Sequence, residues 1–429
     1  MNITSKIVAL SSAVAFALQI ALALLILRYF SPEEVGVFSV ISQIGFFWTT
    51  LALAQTPLRL LANHGASVFD DARQAWVSSL KRFVWLSPLA ALAVWWSGLS
   101  FVNALLWALL LSLCQLSWML AQSTYLRIVS PWPLVVVVRL LPPLTSLLFV
   151  ITSVLFLWDG PALLASALFG YAIGAIWLFP FIFSVRSSTL ENRISQSSYA
   201  NATANENLST FSQSIHLSTK LHHSDLSDDR STSLRIAHAL GDGLLATSVV
   251  LVWQRLYGAE ETGWMVAPLR VMGFLPAVIH MSWVQVLLAQ PQRSRTNSLW
   301  VGLGGFAIVV ILVAIGALAI EISWLSSHWQ GALLYFLPLA VWQGCACISA
   351  AYSHRPFESR VASKYSWICI AISIMQGCAL LLPFFSPSLI LSATDHIWLF
   401  SVTSGLGLLA TAYWLANLSP SPKVFRTKS

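Results

Sequence analysis

Charged residues are scarce in this sequence: Asp, Glu, Lys and Arg make up only 9% of its 429 residues, whereas 57% are hydrophobic. A soluble domain carries roughly a quarter charged residues, so this composition excludes a soluble fold. Many apolar runs exceed the roughly 18 residues that mark a transmembrane helix. Because only helices and closed barrels satisfy their backbone hydrogen bonds in lipid, the sequence predicts an all-α integral membrane protein.

Motifs for metals, nucleotides and nucleic acids are also missing. The five cysteines lie inside apolar runs, without the paired spacing of a zinc site or a disulfide framework. The sequence contains no Walker-type phosphate-binding loop, which argues against ATP hydrolysis by this chain. The net charge of +7 comes from basic residues at the ends of predicted helices and so reflects topology. We therefore expect no metal, no cofactor, no nucleic-acid partner and no catalytic residues.

Twelve apolar stretches are long enough to cross a membrane. They cover residues 7–27, 35–55, 77–96, 104–125, 132–157, 161–184, 236–256, 262–288, 299–320, 333–352, 365–385 and 397–417. If the N-terminus is cytoplasmic, all but four of the 23 Lys and Arg residues lie in cytoplasmic segments. The exceptions are Arg28 and Arg255 in outer connections and Arg139 and Arg270 inside spans. Because cytoplasmic loops are enriched in Lys and Arg, both termini are predicted to be cytoplasmic.

A polar segment divides the chain into two predicted lobes. Residues 186–233 are rich in Ser, Asn and Thr and lack apolar periodicity, which predicts a disordered cytoplasmic linker. Six spans precede it in an N-terminal lobe, residues 1–185, and six follow it in a C-terminal lobe, residues 234–429. Because six is an even number, both lobes enter the membrane in the same direction, which predicts a parallel pseudo-twofold repeat.

A short motif recurs once in each predicted lobe. Arg28–Gly36 and Arg255–Gly263 share Arg, Glu, Glu and Gly at a constant offset of 227 positions. In the first copy, Ser31 is followed three residues later by Glu34, the signature of a capping box at a helix start. A catalytic carboxylate pair, Glu33 with Glu34, is the alternative interpretation. The duplication favours the helix start, because an active site is needed once and a helix start is needed twice.

Polar residues inside the spans are candidates for substrate binding, because polar groups are costly in lipid. Arg270 and His280 share one helical face of the eighth span. At the 227 offset, Arg270 corresponds to Gln43 of the second span, which also carries Thr49 in a polar stripe. Such stripes predict a hydrated cavity between the lobes. The alternative is that Ser and Thr side chains bond to neighbouring helices.

Three further charged residues complete the candidate set. Arg59 follows the second span, and Arg139 lies in the fifth, where it either faces the cavity or extends to the cytoplasmic interface. Asp242 lies roughly 12 Å inside the seventh span, at a rise of 1.5 Å per residue. Asp242 either pairs with an arginine or binds a coupling proton or cation, and the sequence leaves both interpretations open.

The first copy of the motif resembles a known family of transporters. Residues 27–39, Leu-Arg-Tyr-Phe-Ser-Pro-Glu-Glu-Val-Gly-Val-Phe-Ser, are similar to the start of Wzx-type polysaccharide transporters of the MATE/flippase (MOP) superfamily. Residues 55–59, Gln-Thr-Pro-Leu-Arg, fit the same region. The local match covers residues 10–65, with a fainter copy at 236–290. The long polar linker departs from the family pattern.

The resemblance implies a function as well as a fold. Two six-helix lobes would form a V around a cavity that opens alternately to either side of the membrane. Family members flip undecaprenyl-diphosphate-linked oligosaccharides to the outer leaflet of the bacterial inner membrane, for surface polysaccharides such as the O-antigen of lipopolysaccharide. Arg270 and Arg59 would meet the diphosphate, which arginine suits well. The implied partners are the lipid-linked oligosaccharide, membrane lipids and other glycan-assembly membrane proteins.

Three other function classes stay open. A MATE-like exporter, coupled to protons or sodium, would need acidic cavity residues for cationic small molecules, whereas the spans bury two arginines and one aspartate. A glycan polymerase or ligase would need a large outer loop, and the longest predicted outer connection has about a dozen residues. A scaffold within a glycan-assembly complex is also compatible with the sequence.

Overall fold

The computed structural model describes most of the chain. The described residues are 14, 17–19, 21–54, 56–62, 67–127, 132–158, 160–183, 229–280, 298–358, 361–385 and 391–418. The predicted linker lies outside these residues up to position 228. The N-terminal half of the first predicted span also lies outside them.

All regular structure in the described residues is helical, as predicted. In chain order the α-helices are α1 (Ala17–Tyr29), α2 (Pro32–Leu53), α3 (Thr56–Ala62), α4 (Val68–Trp85), α5 (Ser87–Ser97), α6 (Phe101–Arg127), α7 (Trp132–Leu155), α8 (Ala162–Ile176), α9 (Phe179–Phe183), α10 (Asp229–Val278), α11 (Ser298–Glu321), α12 (Leu333–Tyr352), α13 (Arg355–Glu358), α14 (Ala362–Phe385) and α15 (Ala393–Ala416). A short 3-10 helix, Ser327–Ala332, leads directly into α12.

Seven of the described helices are long and apolar enough to cross a membrane, namely α2, α6, α7, α11, α12, α14 and α15. α4 and α5 together could form an eighth span, but they meet at a bend of 47°. Pro88 lies in the first turn of α5, where its missing N–H and its ring interrupt a continuous helix. The protein is therefore a multi-pass membrane protein. The single helix predicted at 77–96 is divided in two, and the count of twelve spans stays a prediction.

The start of α2 confirms the predicted capping box. The backbone N–H of Glu34 donates to the Ser31 hydroxyl oxygen at 3.3 Å, and the backbone N–H of Ser31 donates to the Glu34 carboxylate at 2.9 Å. Pro32 is the first helical residue, a position where its missing N–H costs no hydrogen bond. Glu34 is thus engaged in starting the helix.

The second copy of the motif forms a break inside a longer helix. α10 runs through both predicted spans of this region and kinks at Gly258, with φ of 89° and ψ of −177°. Glycine adopts such a positive φ without steric strain. Beyond the kink, the Thr262 hydroxyl donates to the Gly258 carbonyl oxygen at 2.7 Å. Both copies therefore begin a helix segment, but the second copy does so without the capping box.

The two halves of the chain are joined mainly by α2 and α10. In the first half, α2 packs against α4, α5 and α6, while α8 packs against α6 and α7. In the second half, α10 packs against α12 and α14, while α12 packs against α11 and α15. α2 and α10 also pack against each other, so a site between the halves has these two helices as its walls.

Candidate functional site

An arginine of α10 lies against α2, between the two halves. Arg270 donates from Nη2 to the hydroxyl oxygen of Ser42 at 3.1 Å. Its guanidinium carbon lies 5.0 Å from the ring centroid of Phe38, within the range of a cation–π interaction. Phe38 and Ser42 are four residues apart and share one face of α2. Arg270 is an exposed residue, so the two halves do not cover it completely.

Arg270 lies deep in the predicted membrane. Its partner Ser42 is ten residues beyond Pro32, the start of α2, or about 15 Å along the helix axis. The hydrocarbon core of a bilayer is roughly 30 Å thick, which places the contact near its middle. Among the described residues, no carboxylate forms an ion pair with Arg270. A charge at this depth without a counter-charge is costly, which makes Arg270 a candidate functional residue.

Gln43 also reaches across to the second half. Its Nε2 donates to the hydroxyl oxygen of Thr247 at 3.4 Å. Thr247 precedes the Gly258 kink of α10, whereas Arg270 follows it. The neighbouring residues Ser42 and Gln43 therefore contact the two arms of α10, one arm each. The structure thus brings Gln43 and Arg270, which the repeat offset had paired, to one stretch of the interface.

Aromatic side chains near Arg270 were not among the predicted site residues. Phe38 lies beneath the guanidinium, and Tyr171 of α8 is near enough to interact electrostatically with it. Tyr171 also packs against Trp118, with ring centroids 5.5 Å apart. The spacing of four residues before Ser42 is a sequence signal for Phe38. Tyr171 has no comparable signal, because only tertiary packing brings α8 to this place.

Asp242 belongs to a second polar cluster, where α10 packs against α14. Its carboxylate lies 3.1 Å from Nε2 of His238, one helical turn earlier, and accepts a hydrogen bond from the Ser373 hydroxyl at 3.3 Å. Tyr365 packs edge-on against His238, with ring centroids 6.0 Å apart, and Cys369 lies near the same imidazole. The Asp242 side chain is 59% exposed and thus accessible to an ion. Within the described chain its charged partner is this histidine rather than an arginine.

Two predicted cavity residues are engaged within one half of the protein. Thr49 is fully buried, and its hydroxyl donates to the carbonyl oxygen of Ser112 on α6 at 3.0 Å. For Thr49 the helix-packing interpretation therefore describes the observed contact. His280, just beyond α10, contacts the Ser353 hydroxyl through Nδ1 at 2.8 Å, and Ser353 follows α12 of the same half.

Two predicted arginines lie apart from the described Arg270 contacts. Arg59 is on α3, and its side chain lies outside the described part of the structure. Arg139 is partly buried on α7, two turns from the start of that helix, and α7 packs against α6 and α8 of the first half. The assignment of Arg59 and Arg139 to a binding site therefore stays a prediction.

Comparison with known proteins identifies solved structures that have a similar fold. No protein-family model and no curated protein matches this sequence. The solved structure of a lipid II flippase, MurJ, in its inward closed conformation has a TM-score of 0.56 at 11% identity, over 95% of this chain and 87% of that one. An inward-facing multidrug resistance MATE family transporter of the MOP superfamily has a TM-score of 0.51 at 11% identity, over 94% of this chain and 93% of that one. The chain shares the fold of these two solved structures.

This shared fold confirms the predicted fold class of an all-helical membrane protein. The similarity extends over nearly the whole chain, so both halves belong to one architecture. At 11% identity the similarity concerns the fold, and one fold serves many substrates. Any statement about the substrate of this protein therefore has to come from the site between α2 and α10.

Proposed function

We propose that this protein flips undecaprenyl-diphosphate-linked oligosaccharide repeat units from the inner to the outer leaflet of the bacterial inner membrane. It would act by alternating access and serve surface polysaccharide biosynthesis. The observation that carries the proposal is Arg270, an exposed arginine between the halves with no carboxylate partner among the described residues. A fixed cation at this depth favours an anionic ligand that has to cross the membrane.

The surroundings of Arg270 suit a diphosphate that is attached to sugars. A guanidinium carries five N–H donors, and the described hydrogen bond to Ser42 uses one of them. The remaining donors form a planar fork that matches phosphate oxygens. Ser42 and Gln43 supply neutral hydrogen-bonding groups for sugar hydroxyls, and Phe38 supplies an apolar ring face for the carbons of a sugar.

Asp242 is the proposed ion-coupling residue. Its hydrogen bond from Ser373 ties α10 to α14, and its exposed carboxylate is accessible to a proton or cation. Proton or cation binding at Asp242 would weaken both its pair with His238 within α10 and its hydrogen bond from Ser373 of α14. Because α10 also carries Arg270, the ion site and the proposed substrate site are parts of one helix. A change at Asp242 can therefore alter how Arg270 is presented.

Export of small molecules coupled to protons or sodium is the second candidate function. The fold shared with a multidrug resistance transporter and the exposed carboxylate of Asp242 favour it. The fold shared with a lipid II flippase, together with the cationic site at Arg270, favours the lipid-linked anion. The two candidates differ in the charge of the substrate, because an arginine without a carboxylate partner in the described part of the chain attracts an anion and repels a cation.

Deletion of the gene tests the proposed function. Lipid-linked repeat units should accumulate on the inner leaflet of the deletion strain, and mass spectrometry of the extracted intermediates would identify the sugars. Expression of Arg270→Ala should leave the accumulation in place, because the anion loses its counter-charge. Arg270→Lys keeps the charge without the fork and should restore part of the transport. Other glycan-assembly membrane proteins are the proposed partners, since a flipped unit must next be polymerised or transferred.

The controls separate the two candidate functions. Each variant is compared at equal protein amounts in the membrane fraction. Normal surface glycan in a deletion strain without a paralogue, or full complementation by Arg270→Ala, would contradict the flippase. Efflux of a cationic dye is measured in the same strains. A loss of efflux on deletion, with unchanged lipid-linked intermediates, would favour the exporter.

A further inference from the structure

The two copies of the repeated motif contact each other. A Cβ added at Gly36 would overlap the carbonyl group of Ala259, with 2.8 Å to its carbon atom. A Cβ added at Gly263 would overlap the carbonyl group of Pro32, with 2.9 Å to the Pro32 Cα. At the offset of 227 positions, Gly36 corresponds to Gly263 and Pro32 corresponds to Ala259. The two contacts are therefore one contact, repeated by the pseudo-twofold relation of the halves.

The arginines that begin the two motifs follow the same reciprocal pattern. Arg28 donates to the backbone carbonyl oxygen of Trp324, and its guanidinium carbon lies 5.5 Å from the Trp324 ring centroid. Nη1 of Arg255 lies 3.3 Å from the position of a Cβ at Gly98. At the 227 offset, Trp324 corresponds to Ser97, the neighbour of Gly98. Each half thus extends its arginine to the equivalent turn of the other half.

Two further contacts join the halves at this same end. The indole N–H of Trp329 donates to the backbone carbonyl oxygen of Phe30 at 3.3 Å. The rings of Trp96 and Phe384, from α5 and α14, lie 5.7 Å apart. We call this end of the α2–α10 contact the outer end, because the sequence predicts that it faces away from the cytoplasm. The described contacts close the outer end between the halves.

We propose that the repeated motif is a reciprocal latch that closes the outer end of the transporter. Gly36 and Gly263 form its backbone contact, and Arg28 and Arg255 secure it from either side. Opening toward the outside has to separate all four contacts, and closing restores them. The proposal rests on the proposed transport function and on the predicted orientation. It also gives a role to Arg28 and Arg255, the two basic residues that the positive-inside pattern leaves at the outer face.

The lack of a Cβ explains why glycine is needed at both positions of the latch. A helix can approach a backbone carbonyl group this closely only where no side chain intervenes. An alanine at Gly36 or Gly263 forces the two backbones apart, although it changes no charge and no hydrogen-bonding side chain. The substitution should therefore destabilise the closed outer end relative to the open one. A ligand-free shift toward outward opening is the expected result.

Thiol accessibility measures this shift. The five native cysteines are replaced. Ser42→Cys, which lies next to Arg270 and deeper in the membrane than the latch, serves as the reporter. A membrane-impermeant maleimide is applied to right-side-out and to inside-out vesicles. Gly36→Ala and Gly263→Ala should each raise the labelling rate in right-side-out vesicles by roughly tenfold, because the minor state of a two-state protein is typically populated at only about 0.1–10% and can gain population. Arg28→Gln and Arg255→Gln should raise it less. Labelling in inside-out vesicles should fall.

Gly302→Ala is the matched control. A Cβ at Gly302 would lie 2.8 Å from the Ile348 Cα, so it too would meet a backbone, although less closely than at Gly36 or Gly263, and α11 and α12 belong to one half. Unchanged labelling in all four latch variants would overturn the proposal, as would an equal rise in Gly302→Ala. A rise confined to inside-out vesicles would overturn the outer location. If the alanine variants fail to accumulate, the double variant Arg28→Gln with Arg255→Gln decides, because it leaves the backbone contact intact.

The labelling test is independent of the substrate. If Arg270→Ala transports lipid-linked units normally while the latch variants still shift labelling, the proposed function fails and the latch stands. If Arg270→Ala abolishes transport while labelling is unchanged in every latch variant, the latch fails and the proposed function stands. The two proposals can therefore be rejected separately.

Discussion

The outer end and the middle of the interface use the same two helices in opposite ways. At the outer end, Gly36 and Gly263 bring two backbones so close that no Cβ fits between them. About 10 Å further along α10, the exposed residue Arg270 makes a hydrogen bond to Ser42 across the interface. While the outer end is closed, this backbone contact allows only one arrangement of the two halves. The middle leaves a charge and several polar groups available to a ligand.

Arg28 and Arg270 show the same contrast at the level of single residues. Both cross between the halves and both lie near an aromatic ring, 5.5 Å from Trp324 and 5.0 Å from Phe38. Arg28 donates to a backbone carbonyl oxygen, whose position is fixed by the fold. Arg270 donates to a hydroxyl, which rotates freely and can be replaced by a phosphate oxygen. In the two proposals, Arg28 serves closure of the outer end and Arg270 serves binding of the anion.

Arg270→Glu should have the largest effect, because it reverses the charge in the middle of the interface and leaves the outer end unchanged. The variant places a carboxylate where an anionic head group has to bind. We expect transport to fall by at least roughly 100-fold, because like charges brought together cost several kcal/mol. The amounts of lipid-linked units and of surface glycan measure the effect. Arg73→Glu, an exposed reversal on α4, is the control and should transport normally.

Gly263→Val tests the outer end by steric bulk alone. A side chain at Gly263 meets the Pro32 backbone, and overpacking of this kind costs about 1–3 kcal/mol. The apparent melting temperature of the purified protein should fall by several degrees. Gly304→Val is the control, because a Cβ at Gly304 meets no other residue within 4 Å. Equal losses in both variants would mean that the reciprocal contact contributes no more than any helical glycine.

The features that the sequence predicted correctly are those governed by local rules. The capping box at Ser31 and the helix start after Gly258 follow from residues within one turn of the chain. The membrane helices follow from apolar runs, and the long span predicted at 77–96 was wrong only where Pro88 interrupts it. Arg270 was selected as a candidate because a charge in an apolar run is conspicuous without any knowledge of its neighbours, and its role in binding stays a prediction.

The features that the sequence missed depend on which helices meet. Nothing in the polar stripe of α2 distinguishes Thr49, which faces α6, from Ser42, which faces Arg270. Tyr171 reaches the site only because α8 packs beside α2 and α6. The repeat offset established that Gly36 and Gly263 correspond to each other. These two residues also meet across the interface, and they can do so only if the axis of the repeat passes between them. No sequence pattern specifies the position of that axis.

Asp242→Asn should have an intermediate effect, because it leaves both the latch and Arg270 in place. The amide keeps a group that can accept from the Ser373 hydroxyl but loses the charge that pairs with His238. We expect transport in vesicles to lose its response to an imposed proton or sodium gradient, by roughly fivefold or more. Transport without a gradient should change little. Glu321→Gln, an exposed acid at the end of α11, is the control. A full gradient response in Asp242→Asn would remove Asp242 from ion coupling.

Ser31→Ala should have the smallest effect, and it separates helix capping from the latch within one motif. Loss of the cap costs about 1 kcal/mol of stability, because the first turn of α2 loses the hydroxyl that accepts from Glu34. Transport and outer thiol labelling should stay near the unmodified values, since Gly36 and Arg28 are intact. Glu33→Gln should be silent in all three measurements. If Glu33→Gln instead abolished transport, the motif would be a chemical site after all. The duplication of the motif would then need an explanation other than a helix start that also closes the outer end.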